Sequence, residues 1–136
     1  MYDAFSYFKD HYVMLESDYP YTSVSKDAKD LPPSDCLYSA SKATQVKVKD
    51  YVVQSYVSMS DLKIAVSKQP VTVAIAANNK YINWHNEGII DALDCDDNPV
   101  FDNFVDHGVL IVGYGHDADI GMDYWLIKNS FGKDWG

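Results

Sequence analysis

Apolar residues recur along this chain with two different periods, and the switches between them sketch its elements. In "MYDAFSYFKDHY" Met1, Ala4, Phe5 and Phe8 fall at helical spacing. That spacing predicts an amphipathic helix already under way at residue 1. "ESDYPYT" breaks the pattern, because Pro20 pushes Tyr19 toward an extended backbone. Residues 22–45 are polar, include Pro32 and Pro33, and read as loop. "VKVKDYVV" alternates and predicts a strand.

"SMSDLKIAVSKQP" returns to helical spacing, with Leu62, Ala65 and Val66 on one face. Ser58 or Ser60 can cap this short helix, Asp61 suits its first turn, and Pro70 stops it. "VTVAIA" predicts a strand with Val71, Val73 and Ile75 on one side and Thr72, Ala74 and Ala76 on the other. An irregular acidic stretch runs from about Asn78 to Asp106. Then come an apolar strand over 108–114, a turn through "HDADIGMD", and a strand at "YWLIKN". Mostly strands with short helices make this an α+β chain.

At 136 residues, with 47% apolar and 14% aromatic content, the chain suits one core-forming domain or part of a larger one. Its net charge is −9, and every basic residue other than histidine is lysine. Without arginine or a positive field, nucleic acid is excluded as a partner. No run approaches the roughly 20 apolar residues that span a bilayer, so no membrane partner is expected. The residues after Met1 do not form a signal peptide. Two cysteines, Cys36 and Cys95, are too few for a disulfide scaffold and lack zinc-knuckle spacing. They can pair with each other, stay buried as thiols, or have partners outside this chain.

Two motifs are decoys. "GYGHDA" fits the dinucleotide fingerprint, but that fingerprint must open a helix, and turn formers and a strand follow here. "DCDDNP" matches the first oxygen positions of a calcium loop. Pro99 replaces the sharp-turn glycine and Val105 the terminal glutamate, so a solvated acidic loop is the better reading. No metal or organic cofactor is expected.

His107 stands apart from His11, His85 and His116, which read as structural. It heads the run Val109 to Val112, so its ring can sit at the end of a sheet. A catalytic imidazole needs a third group to fix its tautomer. Asn129 is the candidate, since it ends "YWLIKN", and antiparallel pairing across the turn would bring it beside His107 from 22 positions away. Phe131 and Trp135 follow, placed to cover the pair and keep water from its hydrogen bond.

Taken together, "ESDYPYT", "PVTVAI", "VDHGVLIVGYG" and "DYWLIKNSFGKDWG" resemble the papain-like cysteine peptidases, the cathepsin L type most closely. The motifs keep the family's order and span nearly the whole chain. The resemblance implies a two-lobe fold, one lobe helical and the other an antiparallel β-barrel, with the site in the cleft between. Residues 1–20 would end the helical lobe, and 21–136 would form most of the barrel lobe. His107 would be the imidazolium of a thiolate–imidazolium pair and Asn129 its orienter. Phe131 stands where the family usually has a tryptophan, so an aromatic cover is kept and an indole N–H is lost. Met1, Ala74, Val105 and Gly108 match positions lining the pocket for the second side chain on the acyl side. All are uncharged, which implies a preference for Leu, Phe or Val there. The competing reading is that Ala74 and Val105 merely fill the core.

The resemblance also implies what is missing. The nucleophile belongs to a C-G-S-C-W-like motif upstream, and neither "PSDCLY" nor "LDCDD" is such a motif. Cys36 and Cys95 would each be half of a disulfide with a partner outside the chain, and would not bond to each other. Met1 would be internal and the chain a fragment, inactive alone. The expected function of the parent protein is a cysteine-type endopeptidase acting on protein or peptide substrates. A propeptide or protein inhibitors would be its partners, and the full enzyme would be a monomer. Lysosome, vacuole or extracellular space, where disulfides persist, is the expected location. Two rival readings are a non-catalytic homologue with the nucleophile replaced, serving as a binding or scaffold protein, and an inactive truncated product.

Overall fold

The structure, a computed structural model of the chain, describes residues 1–21, 36–55, 57–78, 80–90 and 105–136. Cys95, the "DCDDNP" motif and most of the polar loop after Tyr21 lie outside the described residues. The chain divides after Ser55 into two compact units.

In the first unit, helix α1 spans Tyr2–Asp10. The predicted stripe is partly realised: Phe5 and Phe8 are half-buried, while Met1 and Ala4 are exposed. Phe5 lies against Tyr51 with ring centroids 5.7 Å apart. The strand predicted over "VKVKDYVV" does not form. Val48 N donates to Phe8 O, and Val13 N donates to Val46 O, each at 2.9 Å. These isolated bonds tie the segment to the end of α1 and the residues after it. Among the described residues no neighbouring strand continues the ladder, and Val46 and Val52 stay exposed. Alternation alone does not make a strand without a partner.

The second unit opens with α2, Met59–Val66. Of the two serines offered as caps, Ser58 acts: its Oγ accepts from Asp61 N at 3.1 Å. Val66 is buried, and α2 packs on the second strand. Three antiparallel strands follow in the order β1-β2-β3: β1 Val71–Ile75, β2 His107–Asp117 and β3 Met122–Lys128. The β1 faces are as predicted, with Val71, Val73 and Ile75 half-buried and Thr72 and Ala74 exposed. Val109 and Ile111 of β2 join Val66 and Ala77 in the buried core. A single helical turn, α3 at Lys80–Asn83, lies within the stretch read as irregular.

The β2–β3 turn is built locally. Asp117 Oδ1 accepts from Asp119 N at 2.9 Å and Ile120 N at 3.2 Å. Gly121 takes φ +66, which glycine adopts without steric cost. "GYGHDA" lies in β2 and this turn and opens no helix, so it lacks the helix N-terminus that holds a pyrophosphate. Among the described residues no helix is long and apolar enough to cross a membrane. No group of three His, Cys, Asp or Glu stands ready for a metal among them either.

Candidate active site

His107 is the first residue of β2, where it pairs with Ile75, the last residue of β1. The residue before it, Asp106, fastens this corner. Its N donates to Ile75 O at 3.1 Å, and its Oδ1 accepts from Ala77 N at 2.7 Å. The carboxylate thus satisfies a backbone donor of the buried Ala77 just where β1 ends. Nothing in the sequence marks Asp106 for this role, since an acid before a histidine looks like a solvated charge.

The β2–β3 register brings in the second group. Leu110 faces Lys128. Continuing that pairing past the end of β3 sets Asn129 beside Val109 and Phe131 across from His107. Side chains on one face of a sheet point the same way at every second residue, so the diagonal pair His107 and Asn129 can meet. They do: His107 Nε2 lies 2.8 Å from Asn129 Oδ1. An amide oxygen can only accept, so Nε2 carries the hydrogen and donates. Nδ1 is left without a hydrogen-bond partner among the described residues. Asn129 Oδ1 also accepts from Ser130 N at 2.7 Å, which fixes the amide's orientation.

Aromatic rings cover the pair. Phe131 stacks on the imidazole at 4.9 Å between centroids and 27° between planes. Trp135 meets Phe131 edge-on at 5.6 Å. The indole Nε1 of Trp135 donates to Ile82 O at 2.7 Å, and its ring meets His85 at 5.5 Å. The segment after β3 is therefore pinned to α3 and the residues following it. No local pattern in the sequence signals the anchor of Trp135 at Ile82.

The remaining candidates fall elsewhere. Ala74 and Gly108 pair directly across β1 and β2. Both are exposed, on the sheet face opposite His107. Val105 is 55% exposed. Neither Ala74 nor Val105 fills the core, so the core-filling reading does not hold. Met1 belongs to the first unit and is exposed. Cys36 is exposed and carries no disulfide among the described residues. His11 stacks on Tyr7 at 4.0 Å, and His116 Nδ1 pairs with Asp123 Oδ1 at 2.8 Å, both outside the His107 cluster.

An imidazole with one nitrogen tied to a neutral amide and the other unengaged is arranged to carry a proton. Known proteins share the sequence and fold that build it. The family model for papain family cysteine protease matches residues 1–136. Cathepsin L of Sarcophaga peregrina is 34% identical over 137 residues, covering 98% of this chain and 36% of that protein. A cathepsin L-like protein of Caenorhabditis elegans is 36% identical over 135 residues, again covering 98% of this chain and 36% of the relative. The chain thus spans about a third of the length of these relatives. Among solved structures, the bromelain protease from Ananas comosus in complex with the E64 inhibitor matches with a TM-score of 0.68 and 25% identity. That match covers 98% of this chain and 54% of the bromelain chain. The helices and antiparallel sheet described above are those of a papain-like α+β fold, and the chain belongs to the papain family of cysteine proteases.

Proposed function

We propose that this chain carries the histidine and asparagine of a Cys-His-Asn site, and that the protein containing it is a cysteine-type endopeptidase. The observation that supports this is the 2.8 Å bond from His107 Nε2 to Asn129 Oδ1 under the Phe131 ring. It leaves Nδ1 as the nitrogen that exchanges a proton with the reacting groups. A cysteine thiolate that residues 1–136 do not supply attacks the peptide carbonyl carbon. His107 gives its Nδ1 proton to the leaving amine as the C–N bond breaks, and an acyl thioester remains. Neutral His107 then takes a proton from water, which adds to the thioester, and the acid and thiolate are released. Asn129 holds the ring in one tautomer without adding a buried negative charge. No step calls for a metal or organic cofactor.

On this reading residues 1–20 end the helical lobe, and 21–136 form most of the barrel lobe. Ala74, Gly108 and Val105, each exposed, take an apolar side chain on the acyl side. Protein and peptide substrates, a propeptide and protein inhibitors are its partners. The enzyme is monomeric and works in a lysosome, a vacuole or outside the cell. The test is hydrolysis of a fluorogenic peptide with Leu or Phe at the second acyl-side position by the whole protein. His107→Ala is expected to lower kcat/KM by about 10³-fold or more. Turnover by His107→Ala within a fewfold of wild type would remove the proposed role. Absence of turnover in wild type, with peptide still bound, would favour a non-catalytic homologue.

A further inference from the structure

Among the described residues Trp84 is the most exposed large apolar side chain, at 84%. An indole left almost wholly in water forgoes one of the largest burial gains available to any side chain. Its position is nevertheless fixed. Trp84 directly follows α3, and Ile82 before it and His85 after it are held by Trp135 and Gly136. Ile82 O accepts from Trp135 Nε1 at 2.7 Å, the His85 ring meets Trp135 at 5.5 Å, and Gly136 N donates to His85 O at 3.3 Å. From Trp135 the contacts continue to Phe131 at 5.6 Å and on to His107 at 4.9 Å. An unbroken run of rings therefore links the imidazole to the backbone that presents Trp84. Phe131, in the middle of the run, is itself 44% exposed.

The side of the site this run occupies follows from the sheet. Ala74 and Gly108, assigned above to the acyl half of the substrate, lie on the opposite face of β1 and β2 from His107. A general acid must stand within hydrogen-bond reach of the nitrogen it protonates. The chain beyond the scissile bond therefore leaves past the imidazole and the ring packed on it, toward α3. Resting on the peptidase reading, we propose that Trp84 is a specificity-determining residue. It takes an apolar or aromatic side chain from the leaving-amine half of the polypeptide substrate.

The test compares two internally quenched peptides with the whole protein. They share one acyl half and carry either phenylalanine or glycine at the two positions after the scissile bond. Wild type is expected to prefer the phenylalanine peptide in kcat/KM by about tenfold, the scale of one aromatic contact. Trp84→Ala should reduce that ratio to about twofold, while Trp84→Phe should keep most of it. A ratio unchanged in Trp84→Ala overturns the inference, and so does an equal loss on both peptides, which would mark Trp84 as packing against another segment of the protein. Failure of wild type to cleave either peptide overturns the peptidase reading itself, and this inference with it.

Discussion

Replacing Asn129 with alanine removes the acceptor that His107 Nε2 meets at 2.8 Å. The pair is half-buried under Phe131, so water replaces the lost oxygen poorly. A hydrogen bond between neutral groups contributes about 0.5–1.5 kcal/mol, and one to a charged group about 1.5–3 kcal/mol. In the proposed mechanism the amine is protonated by an imidazolium, so the upper range applies to the reacting state. That converts to a loss of about 10- to 100-fold in kcat/KM. Asn129 touches the imidazole and is given no contact with substrate, so the loss should sit in kcat, with KM nearly unchanged. Asn129 Oδ1 also accepts from Ser130 N, so alanine should cost about 1 kcal/mol of stability as well. Steady-state hydrolysis of a fluorogenic peptide by the whole protein, with thermal melts of both variants, separates the two effects. A variant that melts as expected and keeps kcat within twofold would refute the orienting role.

The remaining predictions concern the scaffold. A Cβ on Gly115 would sit 2.5 Å from Tyr124 Cζ and Oη, so Gly115→Ala must displace that ring. It should cost about 1–3 kcal/mol in urea unfolding, and adding Tyr124→Leu should recover part of it. Ser58→Ala removes the α2 cap and should cost about 1 kcal/mol in the same assay, whereas Ser60→Ala should cost much less. Asp123 is held below the ordinary aspartate range, first by the Lys63 hydrogen bond and then by His116. A lowered carboxyl pKa gives stability that is present above the ordinary value and lost as pH falls through the lowered one. Asp123→Asn should therefore lower the melting temperature slightly at neutral pH, with the two curves converging in acid. The effect is small because the group is exposed.

The hairpin that carries the site was legible because two signals agreed. The apolar run after His107 demanded a strand, and "HDADIGMD" demanded a turn, so antiparallel pairing had to bring Asn129 back toward His107. The position of the bulge was not legible. Ile111 faces Ile127 and Gly113 faces Leu126, so Val112 is the extra residue. A period of two says which face a residue takes, but not where the partner strand skips one. The strand expected over "VKVKDYVV" failed for a related reason. Alternation records amphipathicity, and this segment spends its backbone bonds on Phe8 and Val13 instead of a ladder. The parts of the site fixed by distant contacts were invisible as well. Asp106 holding Ala77 N, and Trp135 holding Ile82 O, join residues 29 and 53 positions apart. No local pattern encodes either bond.

His107 is proposed to serve a cysteine thiolate. The most direct measurement is the rate of iodoacetamide alkylation of the whole protein as a function of pH, with the modified cysteine assigned by mass spectrometry so that the exposed Cys36 is told apart. An imidazolium beside the sulfur stabilises the thiolate, so one cysteine should react rapidly in mildly acidic solution. His107→Ala should abolish that acidic limb and leave only alkaline reactivity. Superimposable profiles for wild type and His107→Ala would mean that His107 does not serve a thiolate.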